Sequence, residues 1–393
     1  MLKNLALVVS SLIFGVLLIE IALRLLGWSF PLFARPDPEF GWSFRPGLSG
    51  WAQHENTVRV RINRHGYRGP DWSQRPEPGT FRIVVLGDSF TDSTNTEEED
   101  SLTGKVEAHL ANCPAVADRR VEVLNLGVAG YGTAQHQLQL IHQVAALDPK
   151  LVLLAMYIGN DVADNSRAVA AATSKPFYIE RPSGELALDL SFRESDEFRR
   201  TLASEWQRRL VNSSYLLQAL KQVYVRRSIV PSPVKTQVLK ATGVNVRYEP
   251  QYAAMFAPPS DDVWRSAWSV TEKLLLQMRT WSQNHGIEFR VATIPEPIQV
   301  LSGQALRDAV ARSLGIADLD YPMTRIANFF AQNTIEHLSL LDRLRGHADS
   351  ERVFPYGFFP DRPGLGHLNA VGNEVAGQSI AAWLCATLSQ SRR

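Results

Sequence analysis

Two cysteines, Cys113 and Cys385, are all that the 393 residues hold, too few for a disulfide scaffold and without the CxxC spacing that structural zinc requires. One bridge at most can form. An excess of charge of one sign is missing too: 41 Lys+Arg stand against 40 Asp+Glu, a net +1, which excludes a basic nucleic-acid binder. With 45% hydrophobic residues the chain is not a disordered tail either. It has no internal repeat and no low-complexity run, and after its first segment it has no second apolar stretch of comparable length. The remaining composition can bury a sizeable core.

Residues 5–19 (LALVVSSLIFGVLLI) carry no charge, and the apolar pattern resumes around Glu20 and Arg24. From Leu5 to Leu26, 22 residues at 1.5 Å each give about 33 Å, enough to cross a hydrocarbon core of about 30 Å. Glu20 and Arg24 stand at i,i+4 and can pair near the helix end beside Trp28. This predicts a single-pass signal anchor over residues 1–30 in a cell membrane, N-terminus inside and the body extracytoplasmic (periplasmic). A cleaved signal peptide is the competing reading, because Lys3 supplies a positive start. Against it, no A-x-A-like site follows and the run is longer than a usual signal core. In an oxidising space Cys113 and Cys385 can pair, although Cys385 in AAWLCATL also suits a free buried thiol.

Residues 31–80 are rich in Pro, Gly and Trp and predict an extended wrapping segment, with TVRVRIN at 57–63 as an edge strand. Strand candidates then alternate with helical ones: 81–87, 121–127, 150–157, 288–295 and 337–342, against helices at 101–112, 133–147, 262–285 and 371–389. The alternation predicts a three-layer α/β/α body with a mostly parallel sheet over 81–393. In the helix 262–285, Trp264, Ala267, Trp268, Leu274, Leu275, Met278 and Trp281 recur at spacings of three and four, which marks one buried face. The stretch 165–260 interrupts the pattern with no clear strand and a basic amphipathic helical sequence, so it reads as a helical cap insertion.

Three strand ends bring chemistry to one sheet edge. IVVLGDSFT sets Ser89 after an apolar strand, ahead of a helix whose N-terminus favours developing negative charge. NLGVAGYGT sets Gly127, Gly130 and Gly132 after the next strand, where backbone amides are open to approach. MYIGNDVADN ends a third with Asn160, two N–H donors on a short arm. A serine, a glycine amide and an asparagine amide can converge on one oxyanion. Late in the chain, GLGHLNAVGN puts His367 in a loop before the last helix, positioned for base work. His109, His136 and His142 fall inside helical segments and read as structural.

The blocks GDSFT, NLGVAGYGT, GND and GHLNAVGN, in that order, resemble those of the SGNH or GDSL-like hydrolases. FGWSFRPG and INRHGYRG behind an N-terminal helix make the likeness closest to that family's membrane-anchored bacterial branch. The resemblance covers about 40–165 and 286–385 and implies the flavodoxin-like SGNH hydrolase fold. Position by position, it implies Ser89 as nucleophile, Gly130 and Asn160 as oxyanion donors with the Ser89 amide, and His367 as base. The family's acid usually stands two or three residues before the histidine, where this chain has Leu365 and Gly364. Asp361, six residues upstream, or a backbone carbonyl is left to hold the imidazole.

The implied function is a membrane-anchored serine esterase cleaving O-acyl groups of a small molecule, glycan or lipid, through an acyl-enzyme. It needs neither metal nor cofactor. The alternatives are an O-acyltransferase acting on an envelope or extracellular glycan, and a non-catalytic binder that has lost the acid.

Overall fold

The computed structural model describes residues 2–227, 237–248, 250–358 and 364–391. A first helix, Leu2–Leu25, leads into two hairpins. These are β1 (Ala34–Asp37) with β2 (Gly41–Phe44), and β3 (Ser49–Gln53) with β4 (Thr57–Arg61). The alternating run at 57–63 does form a strand, but its partner is β3 in a separate ribbon, not the edge of the central sheet. Residues 54–56 are enough to turn the chain, so the run meets its sequence neighbour first. Its alternation buries Val58, Val60 and Ile62, which pack with Phe40 and Phe44 on Val128, Tyr131 and Leu138 of the body.

Four strands of the body come next in pairs or alone: β5 (Thr80–Gly87), β6 (Arg120–Asn125), β7 (Leu151–Tyr157) and the hairpin strand β8 (Phe177–Glu180). They are followed by β9 (Leu186–Asp189), β10 (Gln237–Ala241), β11 (Val244–Tyr248), β12 (Glu288–Ile294) and β13 (Glu336–Ser339). Five of these make one sheet, in the order β13-β12-β7-β5-β6, with every pairing parallel. That is the flavodoxin-like α/β order, in which the first strand of the sheet lies inside the second. The strands read as continuous apolar runs because both faces of a parallel sheet are covered. Leu151 to Met156 in β7 are fully enclosed.

Helices between the parallel strands cover the two faces of the sheet. Leu102–Leu110 and Ala370–Ser391 pack together on one, where Cys113 and Cys385 are bonded across 272 residues. Thr133–His142 and Asp262–Asn284 pack together on the other. The long helix 262–284 buries Trp264, Ala267, Trp268, Leu274, Leu275 and Met278, while Trp281 stacks on His285 at its end.

The stretch 165–260 holds the helices Asp196–Ala203, Glu205–Ser213 and Tyr215–Arg227, but also two hairpins, β8–β9 and β10–β11. Their strands have four or five residues and close on turns at Gly184 and Gly243. Runs that short carry too few residues to show a period of two, so they were not legible as strands.

The bridge closes most of the body into one loop, so its loss acts on the unfolded chain. Cys385→Ala is expected to lower unfolding stability by about 2–5 kcal/mol, and the denatured, unreduced wild type to titrate no free thiol. Two free thiols in that titration would contradict the bond.

Candidate active site

The sheet order reverses direction at β5, so the carboxyl ends of β5, β6 and β7 open onto one crevice, where doubly wound sheets form their sites. β5 ends at Gly87, and the side chain of Asp88 caps the short helix Ser89–Asp92 by accepting from the Phe90 amide at 2.9 Å. Ser89 is the first residue of that helix, where N–H groups have no intrahelical partner. The loop after β6 brings Gly130 to the same crevice at φ +77, beneath the ring of Trp42. A Cβ at Gly130 would stand 3.1 Å from that ring. The turn after β7 supplies Asn160, whose Nδ2 donates to Asp88 Oδ2 at 3.1 Å. One proton of that amide is thereby used, and the other remains to face the cavity.

Ser89, Gly130, Asn160 and His367 line one cavity of about 260 Å³, together with Trp42, Tyr157, Tyr252 and Glu296. The Ser89 hydroxyl is 2.7 Å from His367 Nε2. On the other side of the ring, Nδ1 is 2.9 Å from Glu55 Oε1, and the His367 backbone N–H donates to Glu55 Oε2 at 2.9 Å. A carboxylate only accepts, so Nδ1 carries the proton and Nε2 is left to accept from Ser89. The ring also packs at 4.8 Å against Phe90.

Glu55 is the partner of the imidazole Nδ1, a residue the sequence reading did not name. It sits at the tip of the β3–β4 hairpin, 312 residues from His367. Asp361 lies outside the described residues, and among the described residues the partner of Nδ1 is the Glu55 carboxylate and not a backbone carbonyl. The approach depends on Gly366 at φ +101, since a Cβ there would come within 2.7 Å of Gly357 Cα and 3.1 Å of Glu55 Oε2. The sequence did hold a signal: three residues, HEN, separate two short strand-like runs, and a tight turn with a carboxylate at its centre is a defined point in space. Nothing local tied that point to His367.

The hairpin tip is tied to the loop after Ser89, where Asn56 Nδ2 donates to the Asn95 carbonyl at 3.2 Å, and the buried Arg68 braces that loop by donating to the carbonyls of Asp92 and Thr96. Burial opposes charge on His367, but the Glu55 bond and charge, followed by Asp88 and Asp92, outweigh it and raise the imidazole above its usual 6.5. Burial opposes the Glu55 carboxylate as well, and His367 overcomes this to hold it below its usual value. Asp88, enclosed behind the serine, is pushed up by burial to about 6. His109, His136 and His142 lie away from the cavity lining. His109 meets Glu374 at 2.6 Å and His142 meets Glu39 at 2.9 Å. His136 is enclosed, and burial lowers it to about 3.

Residues 83–180, which contain most of β5, all of β6 to β8 and the three strand-end residues of the cavity, match the family described as GDSL-like Lipase/Acylhydrolase. Among solved structures, the chain is similar to the acetyl xylan esterase AlAXEase, with 12% identity over 78% of this chain and 98% of that one and a TM-score of 0.38. It is also similar to a GDSL-like lipase from Bacteroides thetaiotaomicron VPI-5482, with 11% identity over 81% and 93% and a TM-score of 0.33. No curated protein matches the sequence. The match at residues 83–180 supports hydrolysis of esters.

With His367 as the expected base, which must be neutral to accept a proton, its raised value predicts activity only at pH above that value. Removing the Glu55 charge leaves burial to dominate and lowers the imidazole. Glu55→Gln is therefore expected to shift the acid limb of kcat/KM to lower pH while cutting turnover by up to about 10⁴, as loss of an orienting carboxylate does elsewhere. A pH–rate profile of the two forms checks both effects.

Proposed function

We propose that the protein is a membrane-anchored serine esterase that cleaves O-acyl groups by way of an acyl-enzyme on Ser89. The observation that carries this reading is the unbroken chain from Ser89 Oγ through both nitrogens of His367 to Glu55. In the first half-reaction the Ser89 proton passes to Nε2 as the oxygen attacks the ester carbonyl. Charge developing on the carbonyl oxygen meets the Ser89 and Gly130 amides and the second proton of Asn160 Nδ2. The bond to the leaving alcohol then breaks, and the alcohol departs with the proton from His367. Water repeats the sequence in the second half-reaction, giving a carboxylic acid and restoring Ser89.

Cavity size supports a small acyl group, since about 260 Å³ lies at or below the lower end of ordinary ligand pockets. Trp42, Tyr157 and Tyr252 at its walls suit the flat apolar face of a sugar ring, so an O-acylated glycan is the substrate class we favour. Residues 1–30 serve as anchor, 31–80 as the segment that delivers Glu55, and 81–393 as the catalytic domain with a cap inserted at about 165–260. Helix Leu2–Leu25 is long and apolar enough to cross a membrane, with no part of its apolar window buried in the body. Retention is favoured over cleavage because Glu20 and Arg24 hold the 213–216 segment of the body. The Cys113–Cys385 bond supports an oxidising, extracytoplasmic location.

Labelling the full chain with a fluorophosphonate probe tests the mechanism: modification is expected on Ser89 and is expected to vanish in Ser89→Ala, which should keep the wild-type melting behaviour. Equal ester turnover in that variant would overturn the reading. Asn160→Ala is expected to lose about 10²–10³ in kcat with little change in KM, because it removes a contact made in the transition state. Assays of acetate released from an acetylated glycan, read beside transfer to an added glycan, separate hydrolysis from transfer.

A further inference from the structure

Helices Asp196–Ala203 and Glu205–Ser213 carry an apolar row that stays open to solvent. Leu202, Trp206 and Leu210 follow one another at intervals of four and are 52%, 63% and 53% exposed. Residues four apart share a helix face, and the single residue between the helices, Ser204, has φ −87° and ψ 2°, close enough to helical for the row to continue across it. Arginines flank the row: Arg199, Arg200 and Arg209 are exposed. Across the two helices, residues 196–213, four arginines stand with three carboxylates, Asp196 and Glu197 at the far end and Glu205 beside the row. Glu205 is shared by Arg45 of the N-terminal segment at 2.6 Å and by Arg209 at 3.1 Å, which leaves Arg199 and Arg200 as the exposed cations next to the row.

The position of this face follows from hydrogen bonds. Arg24 donates to the Ser213 carbonyl at 2.8 Å. Glu20 accepts from the Ser214 hydroxyl at 2.8 Å and from the amides of Tyr215 and Leu216 at 3.0 and 2.9 Å. The segment 213–216 is thus fixed to the last turns of helix Leu2–Leu25, beside the half-exposed Trp28. At 1.5 Å per residue, Leu210 lies about 5 Å and Trp206 about 10 Å of helix from that junction, whichever way the helix points. The headgroup layer of one leaflet is about 5–8 Å deep, and in-plane helices sink about 5–10 Å into it.

We propose that Leu202, Trp206, Leu210 and the arginines beside them form a membrane-interface surface that rests on the anionic headgroup layer next to the anchor. This rests on the reading of helix Leu2–Leu25 as embedded in a bilayer. Basic residues around a Trp-containing apolar row match what such a layer binds, apolar area below and negative charge above. A protein partner would gain nothing from the row's attachment to the end of the anchor.

The test uses the full chain reconstituted in vesicles containing about 30% anionic phosphatidylglycerol. Its native cysteines are bonded to each other and do not take a thiol probe. Leu210→Cys, Ser183→Cys in the exposed β8–β9 turn and Val9→Cys in the anchor are each labelled with an environment-sensitive fluorophore, and quenching by nitroxide-bearing lipid is read. Quenching at 210 is expected to exceed that at 183 by about threefold or more, and to fall at least about twofold when Arg199→Glu and Arg200→Glu are added. Quenching at 9 but not at 210 overturns the surface while leaving the anchor standing. A blue-shifted but unquenched probe at 210 means that protein, a second copy or another partner, covers the row, and also overturns it. No quenching at 9 overturns the anchor reading, and the surface falls with it. Unchanged quenching after the arginine reversals contradicts the anionic headgroup contact.

Discussion

Everything at the crevice depends on one carboxylate at the tip of a hairpin, meeting a ring 312 residues away. Glu55 accepts from both the ring and the backbone N–H of His367, so it fixes the loop and the tautomer together. Two bonds to one carboxylate leave the ring little freedom to turn. The hairpin is not itself part of the parallel sheet, and a two-stranded ribbon alone is marginal in water. Its stability comes from what it covers: Val58, Val60 and Ile62 lie on the loop and helix that follow β6, the same loop that presents Gly130. Apolar burial therefore positions the acid, and hydrogen bonds only trim its placement.

Behind the serine, charge is used where burial ought to discourage it. Asp88 is enclosed, yet its two oxygens are taken up by the Phe90 amide and the Asn160 side chain. The first bond shapes the helix that carries Ser89, and the second aims the asparagine. Because burial lifts Asp88 to about 6, the carboxylate form that accepts both bonds persists above that value and is lost below it. On the proposed mechanism, the carboxyl that orders the oxyanion side and the imidazole that must be neutral both favour the upper side of their own values. The two halves of the site thus work in the same pH range.

What could be read from the sequence follows this division. The sheet was legible because strands enclosed on both faces are long apolar runs, and Ser89, Gly130 and Asn160 were legible because each follows such a run by two to five residues. His367 was legible from its loop ahead of the last helix. Glu55 was not, since its role comes from an antiparallel ribbon folding over the body, and no periodicity links residue 55 to residue 367. The hairpins of the 165–260 stretch escaped for a different reason: four or five residues, half exposed, do not separate strand from helix or loop. Local pattern captured the scaffold, and long-range packing completed the site.

The same N-terminal segment that ends in Glu55 begins at the membrane-type helix, and the path between them contains little slack. Past Trp28, the Ser29 hydroxyl and the Phe30 amide donate to Gln218, and Leu32 exchanges two bonds with Asn212. The Ser29 carbonyl accepts from the Trp51 amide in β3 at 2.7 Å, four residues before Glu55. A flexible tether would let the body diffuse over a distance set by linker length. Here the residues leaving the helix are bonded at once to the cap and to the hairpin. On the proposed reading, the anchor does more than keep the enzyme near a bilayer: it fixes the height and tilt at which the crevice faces the surroundings. The strand that carries this constraint is the one that sets the acid against His367, so the arrangement of the site and its distance from the membrane are consequences of the same short run of residues.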